Sequence, residues 1–295
     1  MNGYIVTNKY YFDEGLNHCI GSLKSAFLKK GIRLDVVKPY FFCDGDGQTQ
    51  LLHGSFKTEK AFVIFLDKDI CLLSQLEKLG LKTFNNSFAV STTDDKIKTY
   101  LTALDGTVDA SMPKTISAPK MYDVIETDDD EFLSNVEKNL SFPLIAKENT
   151  GSQGRQVYLI DSAQELKRIY YFLKKTPHHY QQFLGQKGAD LRVYVVGHKP
   201  IAACTRQGTC FKSNMFDGGL IKLADLDKAH EAAAIQISKK LSLDFGSIDF
   251  LIPSQTEVFK KPVFLEANSN AYFKGIEGLG VDIATHIADH VLSQI

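Results

Sequence analysis

A chain of 295 residues can hold two or three compact modules with a sizeable core, and its 34 basic and 35 acidic residues leave a net charge of -1, so no bulk field points to nucleic acid or an anionic membrane. Hydrophobic residues make up 44% but fall in short runs, none near the roughly 20 apolar residues of a membrane span, and the start Met1-Asn2-Gly3-Tyr4 lacks a basic flank leading into a signal-peptide core. Five scattered cysteines (Cys19, Cys43, Cys71, Cys204, Cys210) read as reduced core thiols, not as a disulfide framework or zinc site, so a cytoplasmic chain is expected.

In chain order, Tyr4 to Val6 reads as a strand, Gly15 to Lys30 as a helix with Leu16, Ile20, Leu23 and Phe27 on one face, and Ile32 to Val37 as the next strand. The continuous apolar run Ala61 to Leu66 fits a strand buried on both faces of a parallel sheet. Ile70 to Leu79 is helical and Lys82 to Phe84 strand-like, so residues 1–93 are expected as a parallel α/β unit. Ser91 to Asp95 caps a helix over Lys96 to Leu104, Met112 to Thr115 is extended, Asp128 to Asn139 is an acidic helix with a solvated start in the run Glu126 to Glu131, and Phe142 to Lys147 is a strand. His178-His179 is expected in a loop. Beyond it come strands at Leu191 to Val196 and Ile201 to Thr205, a helix from Leu226 to Leu241, two oxygen-bearing strands and a final helix from Asp282 to Ser293. This second part predicts antiparallel hairpins, and three lobes in all, the last two sharing a cleft.

The oxygen-bearing strands carry the first chemistry. Pro262-Val263-Phe264-Leu265 ends in Glu266, Asn268 and Asn270, and period-two alternation puts all three on one face. Asp249 stands among Ile248, Phe250 and Leu251, where a carboxylate is costly unless paired or metal-bound. A hairpin around residues 253–257 would bring Asp249, Glu266 and Asn268 together. Hard oxygens without Cys or His suit magnesium or manganese, which such sites hold partly through substrate phosphates.

Phosphate-binding candidates are present. Lys147 ends a strand before the turn Gly151-Ser152-Gln153-Gly154, whose glycines let backbone N–H groups close on anionic oxygens. No Gly-Lys-Ser/Thr follows, so the turn is not a P-loop. Lys96, in Asp94-Asp95-Lys96, is a second cation. Gln181-Gln182-Phe183-Leu184 offers apolar walls and backbone groups of the kind that line ligand pockets. Asp190 and Arg192 share a strand face, Arg206 ends the next strand, and Phe211-Lys212-Ser213-Asn214 opens a polar loop closed by Gly218-Gly219. Each of these alone is also compatible with ordinary surface.

Their joint order resembles the ATP-grasp superfamily, most closely its RimK-like branch of glutamate and amino-acid ligases, over about residues 90 to 295. The resemblance implies an α/β fold, α+β in the nucleotide-binding lobes, with a pre-ATP-grasp domain at 1–93, a small lobe with the lid at 94–180 and a metal-bearing lobe at 181–295. It implies that Lys96 and Lys147 hold ATP phosphates, that Gly151, Ser152, Gln153 and Gly154 form the lid, and that Gln181, Gln182, Phe183 and Leu184 form the adenine hinge, with Asp190 and Lys212 also on the nucleotide. Asp249, Glu266 and Asn268 match the family's magnesium ligands, and Arg192, Arg206 and Asn214 look like the groups around the carboxylate and its acyl-phosphate. Gln156 and Gln182 depart from the family's usual Gly and Glu, and the segment between Arg206 and Phe211 is shorter than in the ribosomal-protein glutamate ligases.

The implied reaction is ATP-dependent amide-bond formation, joining an amino-acid amine to a small-molecule, peptide or carrier-bound carboxylate through an acyl-phosphate. Neither nucleic acid nor membrane is expected as partner, and a homo-oligomer is left open. The alternatives are an ATP-grasp kinase that stops after phosphoryl transfer and a non-catalytic nucleotide-binding module. The loops at Asn8 to Asp13 and Asp67 to Asp69 follow strand ends and are expected to face the cleft.

Overall fold

The computed structural model describes residues 1–11, 13–43, 46, 48–53, 57, 59–122, 130–152, 154–208 and 219–295. The N-terminal part runs β1 (Asn2–Val6), α1 (Glu14–Lys29), β2 (Leu34–Val37), a hairpin of β3 (Tyr40–Cys43) and β4 (Thr49–His53), β5 (Ala61–Phe65), α2 (Ile70–Lys78), β6 (Lys82–Phe84) and α3 (Ser87–Asp94). There follow α4 (Lys96–Ala103), β7 (Thr115–Ser117), α5 (Asp130–Leu140), β8 (Leu144–Glu148), β9 (Val157–Ile160), α6 (Ala163–Leu173) and β10 (His178–Gln182). The last part comprises β11 (Ala189–Val196), β12 (Lys199–Gln207), β13 (Leu220–Leu223), α7 (Lys228–Lys240), β14 (Phe245–Leu251), β15 (Phe264–Asn268), α8 (Lys274–Glu277) and α9 (Ile283–Ser293). Among the described residues no helix is long and apolar enough to cross a membrane.

The first sheet is parallel, in the order β2-β1-β5-β6. Alternation divides its strands between two cores: Ile5, Phe62 and Ile64 pack under α1 and α9, while Tyr4, Val6, Val63 and Phe65 pack under α2. Phe27 of α1 stacks on Phe62 at 5.5 Å, both fully buried, each burial contributing about 1.5–3 kcal/mol. Asp13 caps α1 by accepting from the backbone N–H groups of Gly15 and Leu16, which fixes where the preceding loop ends.

The second sheet, β7-β10-β8-β9, is antiparallel and covered by α5 and α6. His178 and His179, expected in a loop, lie buried in β10. Their aromatic and polar neighbours, not their own strand propensity, make this an inner strand. The third sheet, β13-β12-β11-β14-β15, is antiparallel throughout. Its odd-numbered β11 residues Val193 and Val195 join Ile237 of α7 and Tyr100 of α4 in one core. The opposite face is polar at one end, with Asp190 and Arg192, and apolar at the other, where Tyr194 and Val196 enter the core under α1 and α9. The parallel sheet and the third sheet therefore share a core, and Asn85 reinforces the junction: fully buried, it donates to the carbonyls of Phe245 and Ser269 and accepts from the Asp244 backbone N–H. The helix α3, absent from the sequence expectation, is capped by Asn86. Part of the acidic run before α5 lies outside the described residues.

Candidate active site

Both expected phosphate lysines reach one open cleft of about 1310 Å³ lined by residues of the second and third sheets and the N-terminal loops, more than the roughly 300–1,000 Å³ of a one-ligand pocket. Lys96 is the first residue of α4, placed by the Asp95 cap, with its backbone N–H donating to the Asn149 carbonyl at 2.9 Å and its Nζ 3.4 Å from the Gly151 carbonyl. Lys147 in β8 is 8% exposed and donates from Nζ to Gln181 Oε1 at 2.7 Å. Burial pushes the Lys147 ammonium down to about 8, against attraction from Glu266. Burial lowers Lys96 as well, with Glu266 again opposing and Lys68 adding repulsion. Two cations lining one cavity, both with their charged forms disfavoured by burial, are set to gain from an anionic ligand.

After β8 the chain turns at Gly151 (φ +133°) and Gly154 (φ +67°), left-handed conformations that favour glycine. A Cβ on Gly151 would lie 2.6 Å from Gln156 Oε1, an oxygen buried without a hydrogen-bond partner. Gln156, where the family often has glycine, thus packs its amide onto the turn. Gln153 lies outside the described residues. All four residues of the expected hinge, Gln181, Gln182, Phe183 and Leu184, line the cavity, and the Gln181 side chain, 2% exposed, is spent on internal bonds to Lys147, Tyr100 and Thr115.

Across the third sheet, strand register sets a row of opposite charges: Arg206 on β12 opposes Asp190 on β11, and Arg192 on β11 opposes Asp249 on β14. Arg206 donates from Nε to Asp190 Oδ1 at 2.7 Å, and from Nη2 to Asp190 Oδ2 at 2.5 Å and Asp249 Oδ2 at 2.9 Å. Arg192 donates to Asp249 from Nε (2.8 Å) and Nη2 (2.6 Å). Burial alone would raise Asp249; Arg192 and then Arg206 overcome it and hold the carboxyl below its ordinary value. Asp190, Arg192 and Arg206 line the cavity; Asp249, fully buried, sits beneath it.

Glu266 lies opposite Asp249 and Asn268 opposite Ser247 in the β14–β15 register. This close approach requires glycine at 246, where a Cβ would lie 2.4 Å from the Asn268 carbonyl oxygen. Glu266 and Asn268 face the cavity, with Asn268 Nδ2 donating to Glu266 Oε1 at 3.2 Å. Among the described residues no three His, Cys, Asp or Glu side chains are arranged to hold a metal. The donors nevertheless fit magnesium or manganese: they are hard oxygens, two face the cavity, and Ser247 Oγ and Asn270 Oδ1 beside them are buried without a hydrogen-bond partner. Glu266 and Asn268 would make the cavity-side contacts, with Asp249 behind them.

The N-terminal loops do reach the cavity, through Asn8, Tyr10, Tyr11, Asp13, Asp67 and Lys68. Asp67 does not cap α2; Asp69 does, while Asp67 Oδ1 accepts from the backbone N–H groups of Lys68 and Asp69. Sequence reasoning missed Tyr272 and Lys274, which also line the cavity, and Tyr100; no spacing marks them, because only the folded arrangement brings them to the site. Lys212 and Asn214 lie outside the described residues.

Residues 93–291 match the RimK-like ATP-grasp domain, about two-thirds of the chain. A probable alpha-L-glutamate ligase from Stenotrophomonas maltophilia (strain K279a) is 33% identical over 227 residues, spanning 75% of this chain and 72% of that one. The chain belongs to the RimK-like ATP-grasp family. It is accordingly an ATP-dependent ligase. Solved structures agree on the fold: the ATP-grasp ligase PsnB, complexed with a phosphomimetic variant of a minimal precursor, Mg and ADP, gives a TM-score of 0.67 at 16% identity over 100% of this chain and 98% of that chain. The D-alanine–D-alanine ligase from Bacillus anthracis, complexed with ATP, gives 0.66 at 14% identity over 99% and 96%. In this RimK-like chain the two lysines, the turn after β8 and the oxygen row of β14–β15 converge on one cavity.

Proposed function

We propose that this ligase joins an amino acid, glutamate foremost, to a carboxylate- or amine-bearing acceptor through an acyl-phosphate. The carboxylate oxygen attacks the γ-phosphorus of ATP and ADP leaves; the amine nitrogen then attacks the acyl carbon, phosphate leaves, and the nitrogen gives up a proton. Lys96 and Lys147 bind the phosphates, Gly151, Ser152 and Gly154 close over them, Gln153 is assigned to the same lid on family resemblance alone, and Gln182, Phe183 and Leu184 flank the adenine. Asp190 acts through Arg206, which it holds in place. Arg192 and Arg206, anchored by carboxylates on one side, present their remaining N–H groups to the substrate carboxylate and its acyl-phosphate. Magnesium or manganese, held by Glu266 and Asn268 with Asp249 behind, would supply charge neutralisation at the phosphates. Lys212 and Asn214 are assigned on family resemblance alone, to the nucleotide and the acyl-phosphate respectively. The lobes at 94–180 and 181–295 carry this chemistry, and 1–93 contributes to the acceptor side.

The observation that carries this reading is the convergence of two lysines, the buried Lys147 and the half-buried Lys96, two anchored arginines and the cavity-facing Glu266 and Asn268 on one space. Little covalent chemistry is asked of the protein, so catalysis rests on positioning and charge. The test is ADP release from ATP and magnesium with amino acids and short peptides, read together with product mass. ADP together with a phosphorylated, unjoined substrate would establish the kinase reading instead.

A further inference from the structure

Behind Lys147 lies a hydrogen-bonded chain whose direction is fixed by its members. The ammonium has only donors, so Gln181 Oε1, 2.7 Å away, must accept. Gln181 Nε2 must then donate, and it does so to Tyr100 OH at 3.1 Å and Thr115 Oγ1 at 3.0 Å. With its oxygen accepting from Gln181, the Tyr100 hydroxyl donates to the Leu265 carbonyl at 2.5 Å. Thr115 Oγ1 donates in turn to the Pro113 carbonyl at 2.9 Å. Tyr100 and Gln181 are each 2% exposed, so neither can exchange these partners for water. The chain joins β8 and β10 of the second sheet to α4, the helix that begins at Lys96, and to β15 one residue before Glu266. The Tyr100 ring is also fixed, edge-on to His179 at 6.4 Å and to Phe264 at 5.7 Å.

We propose that Gln181 and Tyr100 are positioning residues that aim the Lys147 ammonium at the phosphate end of the cavity and lock that subsite to strand β15. This rests on Lys147 binding ATP phosphates, and it takes the Gln181 side chain away from the adenine. Gln181→Met removes both links at nearly constant volume, and Tyr100→Phe removes only the hydroxyl while keeping the packed ring. A hydrogen bond to a buried charge predicts a fall in kcat/KM for ATP of about tenfold to a hundredfold for Gln181→Met. Tyr100→Phe should fall in the same direction by less, and the double variant should be no worse than Gln181→Met, because Tyr100 acts through Gln181. Adenosine, which has no phosphates, should bind both variants as it binds the unaltered enzyme.

Equal losses for ATP and adenosine, or a lowered Tm with unaltered ATP kinetics, would overturn the proposal in favour of plain packing. Lys147→Met separates the two levels. If it loses ATP turnover while Gln181→Met and Tyr100→Phe do not, the chain is irrelevant and the phosphate assignment stands. If it keeps full ATP kinetics, the phosphate assignment falls and the proposal with it. Should Gln181→Met fail to fold, Tyr100→Phe with the adenosine control decides alone.

Discussion

Asp249→Asn should damage stability before it reports on chemistry. Asp249 is fully buried and accepts three hydrogen bonds, two from Arg192 and one from Arg206. Asparagine keeps one acceptor oxygen and turns an NH2 group toward guanidinium donors, leaving buried positive charge uncompensated. Breaking a buried pair by removing one partner costs about 3–5 kcal/mol. At about 2–3 °C of Tm per kcal/mol for a chain of this size, the expected loss is about 6–15 °C. Glu266→Gln is the contrasting change: Glu266 is half-buried, contacts Asn268 and lies opposite a like charge, so its Tm should stay within about 2 °C. Thermal unfolding by circular dichroism, paired with an ADP-release assay, reads both. ADP release should vanish in Glu266→Gln with the fold intact. An unshifted Tm in Asp249→Asn would refute the ion-pair account, and full turnover in Glu266→Gln with saturating magnesium would remove the metal assignment.

The pH dependence of ATP binding follows from Lys147. Burial holds the free enzyme's ammonium down to about 8 and phosphates would raise it, so affinity is fully present below that pH and falls above it, by up to about tenfold per pH unit; a flat affinity between about pH 7 and about pH 9.5 would contradict this. Backbone amides of Gly151, Ser152 and Gly154 should exchange quickly without nucleotide and become protected with it, and exchange that ignores ATP would count against a lid. Asp67→Ala should raise the KM for the acceptor about tenfold with ATP affinity little changed, since Asp67 lines the cavity and does not cap α2; a loss confined to Tm would reduce Asp67 to holding its own turn.

Much of the fold was legible because its signals are local. The apolar run at 61–65 gives a doubly buried strand, and period two at Glu266 and Asn268 gives one polar face. Ordered short motifs were enough to reach the ATP-grasp family. What escaped depends on long-range contact. The bonds of Gln181 to Lys147 and Tyr100, and the two arginines that close on Asp249 from β11 and β12, cannot be read from the sequence around either residue. The strand at His178–Gln182 has weak propensity of its own and exists because β7 and β8 pair on either side. The packing of α9 against α1, which joins the two ends of the chain in one core, leaves no mark in either helix alone.

The most direct measurement is a mass-spectrometric screen of the purified protein with ATP, magnesium, glutamate and other amino acids, and short peptides, with ADP quantified in parallel. The account predicts ADP formed in step with a product whose mass equals that of its two substrates combined less one water. ADP release with only phosphorylated substrate, or nucleotide binding with no ADP under any substrate pair, would contradict it.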